Sequence, residues 1–282
     1  MQGVWHELAA LVLPVDCAGC GRPRTELCAE CRRVLARDGR GARRVRPWPS
    51  PVGLPRVWAG APYADEVRAV LLAHKERGAL RLAGPLGAVL AGAVRGLRAG
   101  DGPQLLVPVP SARRSVAGRG HDPVRRIALA AAMELRRAGA EVRVLAALRQ
   151  RRVVADQAGL SARQRMANVA GALVVPGGAG RLLAGQPAVL VDDLVTTGAT
   201  LAEAARAVAA AGGRVSGAAV VAAPRSAFAV GGEQREPISR GSRRGGKVTQ
   251  MEPGAPRGCR HPSGRAMFGC EDLASVLPRM SG

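Results

Sequence analysis

A chain of 282 residues can hold one medium domain with small additions and can bury a real core. Its 42 basic and 21 acidic residues give a net charge of +21 and a pI near 11.6, a field that favours phosphorylated metabolites, nucleic acid or an anionic membrane surface. Lys75 and Lys247 are the only lysines, so a compositional bias toward Arg, Ala, Gly and Pro accounts for part of that charge.

Aromatics are limited to Trp5, Trp48, Trp58, Tyr63, Phe228 and Phe268, too few to suggest a platform that stacks bases. No uninterrupted apolar stretch reaches the roughly 18 residues of a membrane span. The opening MQGVWHELAALVLP has no basic n-region and no clear cleavage site, so a cytoplasmic protein without a membrane span is expected.

In chain order, residues 4–13 read as a short amphipathic helix. Two CxxC pairs follow, Cys17 with Cys20 and Cys28 with Cys31. Four thiolates at this spacing suit a tetrahedral structural zinc site in a segment too small to build its own core. A redox CxxC is the alternative, but it is usually single and beside a βαβ pattern. Disulfides are the other, and they suit an oxidising compartment. Zn²⁺ is the expected occupant. Cys259 and Cys270 lack a paired spacing and read as free thiols.

The expected organisation is a helix and zinc ribbon over residues 1–36, and a linker rich in Arg, Gly and Pro over 37–56. A βα-alternating domain over 57–225 and a largely disordered basic tail over 226–282 complete it. Within the third region the patterns predict helices over Ala64–Ala73, Arg81–Leu97, Pro123–Ala138 and Thr200–Ala211. They predict strands over Gln104–Val109, Glu141–Leu145, Ala188–Val191 and Arg214–Ala222. Apolar strands covered by helices imply an α/β fold with a doubly wound parallel sheet, whose ligands sit beyond the carboxyl ends of the strands.

The segment AVLVDDLVTTGAT, Ala188 to Thr200, carries the clearest chemistry. An apolar strand delivers Asp192 and Asp193 at its carboxyl end. The loop Thr196, Thr197, Gly198, Ala199 and Thr200 then opens a helix. Gly198 can take positive φ, and the loop amides, threonine hydroxyls and helix N-terminus form an anion site. Several hydrogen bonds to a charged group contribute roughly 1.5–3 kcal/mol each. The helix dipole adds about 0.3–1 kcal/mol, so the amides dominate. The two carboxylates would repel a phosphate, so they belong on hydroxyls or on Mg²⁺. Phosphate on the loop and a diol on the acids describe a ribose 5-phosphate. No G-x-x-x-x-G-K-[ST] or G-x-G-x-x-G is present to support another phosphate site.

This segment resembles the motif that binds 5-phosphoribosyl-1-pyrophosphate (PRPP) in type I phosphoribosyltransferases. Its surroundings narrow the resemblance. Leu106 to Pro110 reads LVPVP and is followed by Ser111, Ala112 and Arg113. Arg119-Gly120-His121-Asp122-Pro123 leads into a helix. An Arg-rich segment, Arg149–Gly171, contains Gln157, Gly159-Leu160-Ser161, Arg165 and Asn168. Together with His74-Lys75-Glu76-Arg77-Gly78 and the paired CxxC, this order is similar to the ComF family, named for proteins of bacterial DNA uptake. The similarity runs from about Leu8 to Pro224. His121-Asp122-Pro123 departs from the usual Phe-Asn-Gln.

The resemblance implies a PRPP-binding, phosphoribosyltransferase-like protein with Mg²⁺ bridging pyrophosphate and ribose. It makes Lys75, Ser111, Arg113, Arg119, Gln157 and Arg165 the candidates for the pyrophosphate and its covering loop, with Arg149–Gly171 as a hood. It also implies single-stranded DNA and other DNA-uptake proteins as possible partners, with a PRPP-sensing regulator or an accessory DNA-binding protein as the alternatives to a transferase. No residue identifies the acceptor.

Overall fold

The computed structural model describes residues 16–97, 102–111, 121–152 and 161–228. These all fall within one compact unit, Met1–Glu233. The expected helix over residues 4–13 and the expected disordered tail beyond Phe228 lie outside the described residues, as do Cys259 and Cys270.

Strands β2 (Val57–Pro62), β3 (Gln104–Pro108), β4 (Val142–Val144), β7 (Pro187–Leu194) and β8 (Arg214–Ala223) pair in parallel. With β1 (Arg43–Val45) they form one sheet in the order β1-β2-β8-β7-β3-β4. Only β1 runs antiparallel, pairing Val45 with Val57 at the edge. The predicted α/β parallel sheet is therefore present, with an antiparallel strand on one side. Edge positions tolerate the exposed Arg43 and Arg44, because only one face of so short a strand needs burial.

Helices α1 (Ala29–Arg40), α2 (Asp65–Glu76), α3 (Ala83–Leu97) and α4 (Pro123–Arg137) contribute to one core with Val189 and Val191 of β7. Alternation along the strand turns Ala188 and Leu190 to the other face. There they meet Leu201, Ala204 and Val208 of α7 (Ala199–Ala210). A fully apolar β7 is thus explained by burial on both faces. A small hairpin of β5 (Arg149–Gln150) and β6 (Leu173–Val174), with α5 (Ala162–Val169) between them in sequence and α6 (Gly177–Leu183) after, completes the described fold.

Residues 37–56 are not a free linker. They supply the last turn of α1, all of β1, and a segment that packs Leu54 against the second core. Composition hid this because the stretch is rich in turn formers and only one of its apolar residues, Val45, lies in the strand. The helix α1 crosses α3 so closely that a Cβ on Gly92 would run into the carbonyl of Gly39.

One described helical stretch, Leu80–Leu97, has the length and mean hydropathy (1.2) of a membrane span, although no such stretch was expected. Its apolar residues are spent elsewhere: Leu86, Leu90 and Val94 are buried in the core between the sheet, α1 and α4.

Candidate functional site

β7 carries Asp192 and Asp193 to the carboxyl end of the sheet, and Val195 then turns inward. Thr196 is exposed, Thr197 is buried, and Gly198 adopts φ +79° at the N-cap of α7. The Thr197 hydroxyl accepts from the Ala199 amide at 3.4 Å, and the N-cap Gly198 has no side chain to cap the helix itself. A short left-handed turn thus starts α7 soon after β7 ends, with Thr200 in its first turn.

Leu54 covers the turn from the far side. A Cβ on Gly198 would lie 2.7 Å from Leu54 Cδ1. Gly198→Ala therefore faces both a positive φ and a clash, and is expected to cost about 1–3 kcal/mol. Thermal unfolding checks this. An unchanged melting temperature would mean that the loop relaxes freely.

The two acids face different partners. Alternation places Asp193 on the α2 side of the sheet, where Lys75 Nζ meets its Oδ2 at 2.8 Å. The Asp193 side chain is 9% exposed and that of Lys75 is 37% exposed. Burial works against the Lys75 ammonium, but the Asp193 charge and hydrogen bond outweigh it, with Asp192 adding, and raise its pKa. Asp192 Oδ1 accepts from the Asp193 amide at 2.8 Å. Burial first, then the Asp193 charge, push the Asp192 carboxyl well above its ordinary range, and Lys75 offsets only part of this. The site therefore holds one compensated carboxylate and one that lacks a full counter-charge, an arrangement open to a hydroxyl donor or a hard cation.

The remaining candidates are only partly brought together. Ser111 ends the segment after β3, and its hydroxyl donates to Asp122 Oδ1 at 3.3 Å, so both ends of the 111–122 connection are tied. Asp122 also accepts from the Arg125 amide at 3.2 Å as the N-cap of α4, with Pro123 in the first turn. This gives the departure at His121-Asp122-Pro123 a helix-starting role. Arg165 lies on α5, and its Nε is buried with no partner among the described residues. Arg113, Arg119 and Gln157 lie outside the described residues.

Two features had no signal in the sequence. Glu203 of α7 is buried; it accepts from the Leu173 amide at 3.0 Å and pairs with Arg206 at 2.8 Å. Arg206 in turn donates to the Leu173 carbonyl at 3.0 Å, so the chain just after the Arg149–Gly171 segment is fastened to α7. A groove of about 880 Å³ runs along the outer side of α7, lined by Val52, Met166, Val169 and Ala205 among others. It does not include Asp192 or Asp193, and its lining is mostly apolar with Glu203, Arg206 and Arg214 among it.

Near the N-terminus the four expected thiols converge. Cys17, Cys28 and Cys31 are buried and Cys20 is exposed, with all four sulfurs within 4.8 Å of one another. Cys20 Sγ and Cys28 Sγ are 3.7 Å apart. A tetrahedral zinc with Zn–S near 2.3 Å requires about 3.8 Å between sulfurs, so these residues fit the ion. Burial raises the Cys17 thiol, but amides of Cys28, Cys20 and Gly19 outweigh it and bring its pKa down to about 6, ready to ligate. Burial, followed by the neighbouring thiols, pushes Cys31 up.

No curated protein matches the chain. Residues 126–238 match the family model of the phosphoribosyl transferase domain, a stretch that includes most of α4 and all of β7, the Thr196–Thr200 turn and α7.

Proposed function

We infer that the chain binds PRPP with Mg²⁺ at the carboxyl end of β7 and works as a type I phosphoribosyltransferase of the ComF kind. The supporting observation is the left-handed turn at Gly198, which starts α7 a few residues after β7 delivers Asp192 and Asp193. The 5-phosphate sits on Thr196–Thr200 and the ribose hydroxyls on Asp192 and Asp193. Lys75, Ser111, Arg113, Arg119, Gln157 and Arg165 are the candidates for the pyrophosphate and the segment over it. Asp192 and Asp193 are the residues that would hold Mg²⁺, which would supply charge neutralisation for the diphosphate.

In transfer, the bond from ribose C1 to the diphosphate oxygen breaks and its electron pair leaves with the diphosphate. A lone pair of the acceptor forms the new bond. The protein supplies position and charge rather than a covalent nucleophile. The Arg149–Gly171 segment, rooted on α7, is suited to excluding water from the oxocarbenium-like stage.

The test is calorimetry with Mg·PRPP on the parent and on Asp192→Asn with Asp193→Asn. The parent is expected to bind, and the double variant to lose at least about tenfold in affinity, since charged hydrogen bonds of roughly 1.5–3 kcal/mol each are removed. Equal affinity would refute the site. Release of pyrophosphate from PRPP, with bases and nucleic acids offered as acceptors, separates turnover from PRPP sensing alone.

A second reading, an accessory contact with single-stranded DNA in DNA uptake by a cytoplasmic protein, has its own observation. Arg32, Arg37 and Arg40 of α1, with Arg43, Arg44 and Arg46, are exposed on consecutive elements, and Trp48 is 91% exposed just beyond them. Cations beside an exposed indole suit phosphates and stacked bases. Binding should fall steeply with salt. No binding of single-stranded DNA at low salt, with zinc present, would end this reading.

A further inference from the structure

Glu203 is buried in the second turn of α7, and the chemistry above gives it no part. Its Oε1 accepts from the Leu173 amide at 3.0 Å, while Arg206 Nη2 donates to the Leu173 carbonyl at 3.0 Å. The acid and base also lock each other, Arg206 Nε to Glu203 Oε2 and Arg206 Nη2 to Glu203 Oε1, both at 2.8 Å. One side-chain pair thus offers Leu173 an acceptor and a donor, the role a neighbouring strand would play. Burial works to raise the Glu203 pKa, but Arg206 and the amides of Leu173 and Gly171 outweigh it and keep the carboxyl charged. A buried ion pair is a poor source of stability, since an apolar pair of similar size is often as stable or more so. Its geometry, by contrast, fixes one main-chain residue against one helix.

The element fixed in this way is α5. A helix of eight residues does not persist alone, and this one is held at both ends. The Ser161 hydroxyl accepts from the Gln164 amide, and the Gln164 side chain accepts from the Ser161 amide. At the other end Arg152 Nη2 donates to the carbonyls of Asn168 and Ala170 at 2.9 and 2.8 Å. The Arg151 amide donates to the Ala172 carbonyl, one residue before Leu173. Along its length α5 packs against α7, with Met166 and Val169 in the wall of the groove. The helix α5 therefore moves with α7, which itself begins at the turn of Thr196–Thr200. Arg165 rides on α5; it is half-buried, and its Nε has no partner among the described residues. A guanidinium left unpaired on so firmly held a helix is suited to an anion that arrives from outside.

We propose that Glu203, with Arg206, is a positioning residue that fixes α5 to α7 and so holds Arg165 at a set place relative to the Thr196–Thr200 turn, ready for the diphosphate of the ligand. The proposal rests on the reading that PRPP binds here. Glu203 touches no ligand and acts through Leu173 and α5. Its effect on PRPP should therefore pass through Arg165 and vanish when that side chain is gone.

The experiment is a double-mutant cycle on the full chain, read by calorimetry with Mg·PRPP and with ribose 5-phosphate. Glu203→Leu with Arg206→Met removes both hydrogen bonds to Leu173 and leaves no buried charge unpaired. Arg165→Ala removes the guanidinium, and the third protein carries all three changes. Arg165→Ala is expected to weaken Mg·PRPP by about tenfold or more, the loss of a charged hydrogen bond. The apolar pair should weaken it by about tenfold in the parent and by less than about twofold in the Arg165→Ala background. Ribose 5-phosphate, which has no diphosphate, should change by less than about twofold throughout. Glu203→Gln, which keeps an acceptor for the Leu173 amide, should retain most of the parent's affinity.

Equal weakening in both backgrounds, or equal weakening of both ligands, would make the pair merely structural and overturn the proposal. So would an apolar pair, or an Arg165→Ala variant, that binds Mg·PRPP as the parent does. If the apolar pair does not fold, Arg206→Lys, which keeps the charge and loses the fork, enters the same cycle with an expected coupling of about threefold. A parent chain that binds neither ligand refutes the PRPP reading itself, whereas a parent that binds both without coupling refutes only the role of Glu203.

Discussion

Replacing Cys28 with alanine is expected to strip zinc from the protein and to lower its stability by at least about 3 kcal/mol, since structural zinc supplies an apparent ~10–16 kcal/mol in isolated fingers. Cys28 is chosen because it serves the cluster three times. Its sulfur lies 3.7 Å from that of Cys20, its amide donates to the Cys17 sulfur at 3.3 Å, and its own sulfur accepts from the Cys31 amide as the cap of α1. Loss of the ion would leave Cys17 and Cys31 as buried thiols in the same core as Leu35 and Leu71, so the damage should spread beyond the ribbon. Elemental analysis should give about one zinc per parent chain, the count for a closed Cys₄ site, and close to none for the variant. A chelator should bring the parent's melting temperature down toward the variant's. A parent that melts unchanged in chelator would show that the thiols pack without needing a metal.

Asp192→Asn should do two things that usually oppose each other: remove binding and stabilise the free protein. The folded-state pKa of Asp192 is raised above the ordinary 3.8 by burial and the Asp193 charge. Between those two pKa values the folded state holds more protons than the unfolded state, so stability falls as pH rises through that window. Asparagine carries no such penalty. At neutral pH the free variant should be more stable by about 1 kcal/mol, which is roughly 2–4 °C in melting temperature for a domain of this size. Near pH 4 the advantage should vanish, because the parent carboxyl is then largely protonated. Mg·PRPP affinity should drop at least about tenfold over the same comparison. A variant that melts below the parent at pH 7.5 would refute the account of uncompensated charge.

Much of the fold was legible in the sequence because burial on two faces leaves a plain mark. AVLV in β7, QLLVP in β3 and the long apolar run of β8 can hardly be anything but central strands. Pro123 and the paired Gly212-Gly213 punctuate α4 and α7 in the usual way. By contrast, β1 is three residues of Arg-Arg-Val, and its pairing is set by β2 rather than by any pattern of its own. The helix α6, GGAGRLL, has three glycines where propensity favours none, and packing of Leu183 holds it.

The candidate site divides in the same way. Thr196–Thr200 and the acidic pair announce themselves, since the turn, the strand end and the helix start are all local. That Asp193 would be taken by Lys75 is a fact of tertiary placement: the two residues come from separate elements, and no spacing encodes their meeting. The same holds for Glu203, whose partner is the main chain of Leu173.

The close crossing of α1 and α3 has a consequence for how such a protein can be taken apart. Gly39 and Gly92 let the two backbones nearly touch, and Leu35 enters the core from that side. A gene trimmed to begin at Val57 would still encode all the parallel strands, yet its product would open a trough along α3 and leave β2 with a bare edge. The cysteine-bearing segment is therefore less an appendage than a keystone, and the two parts should be lost or inherited together.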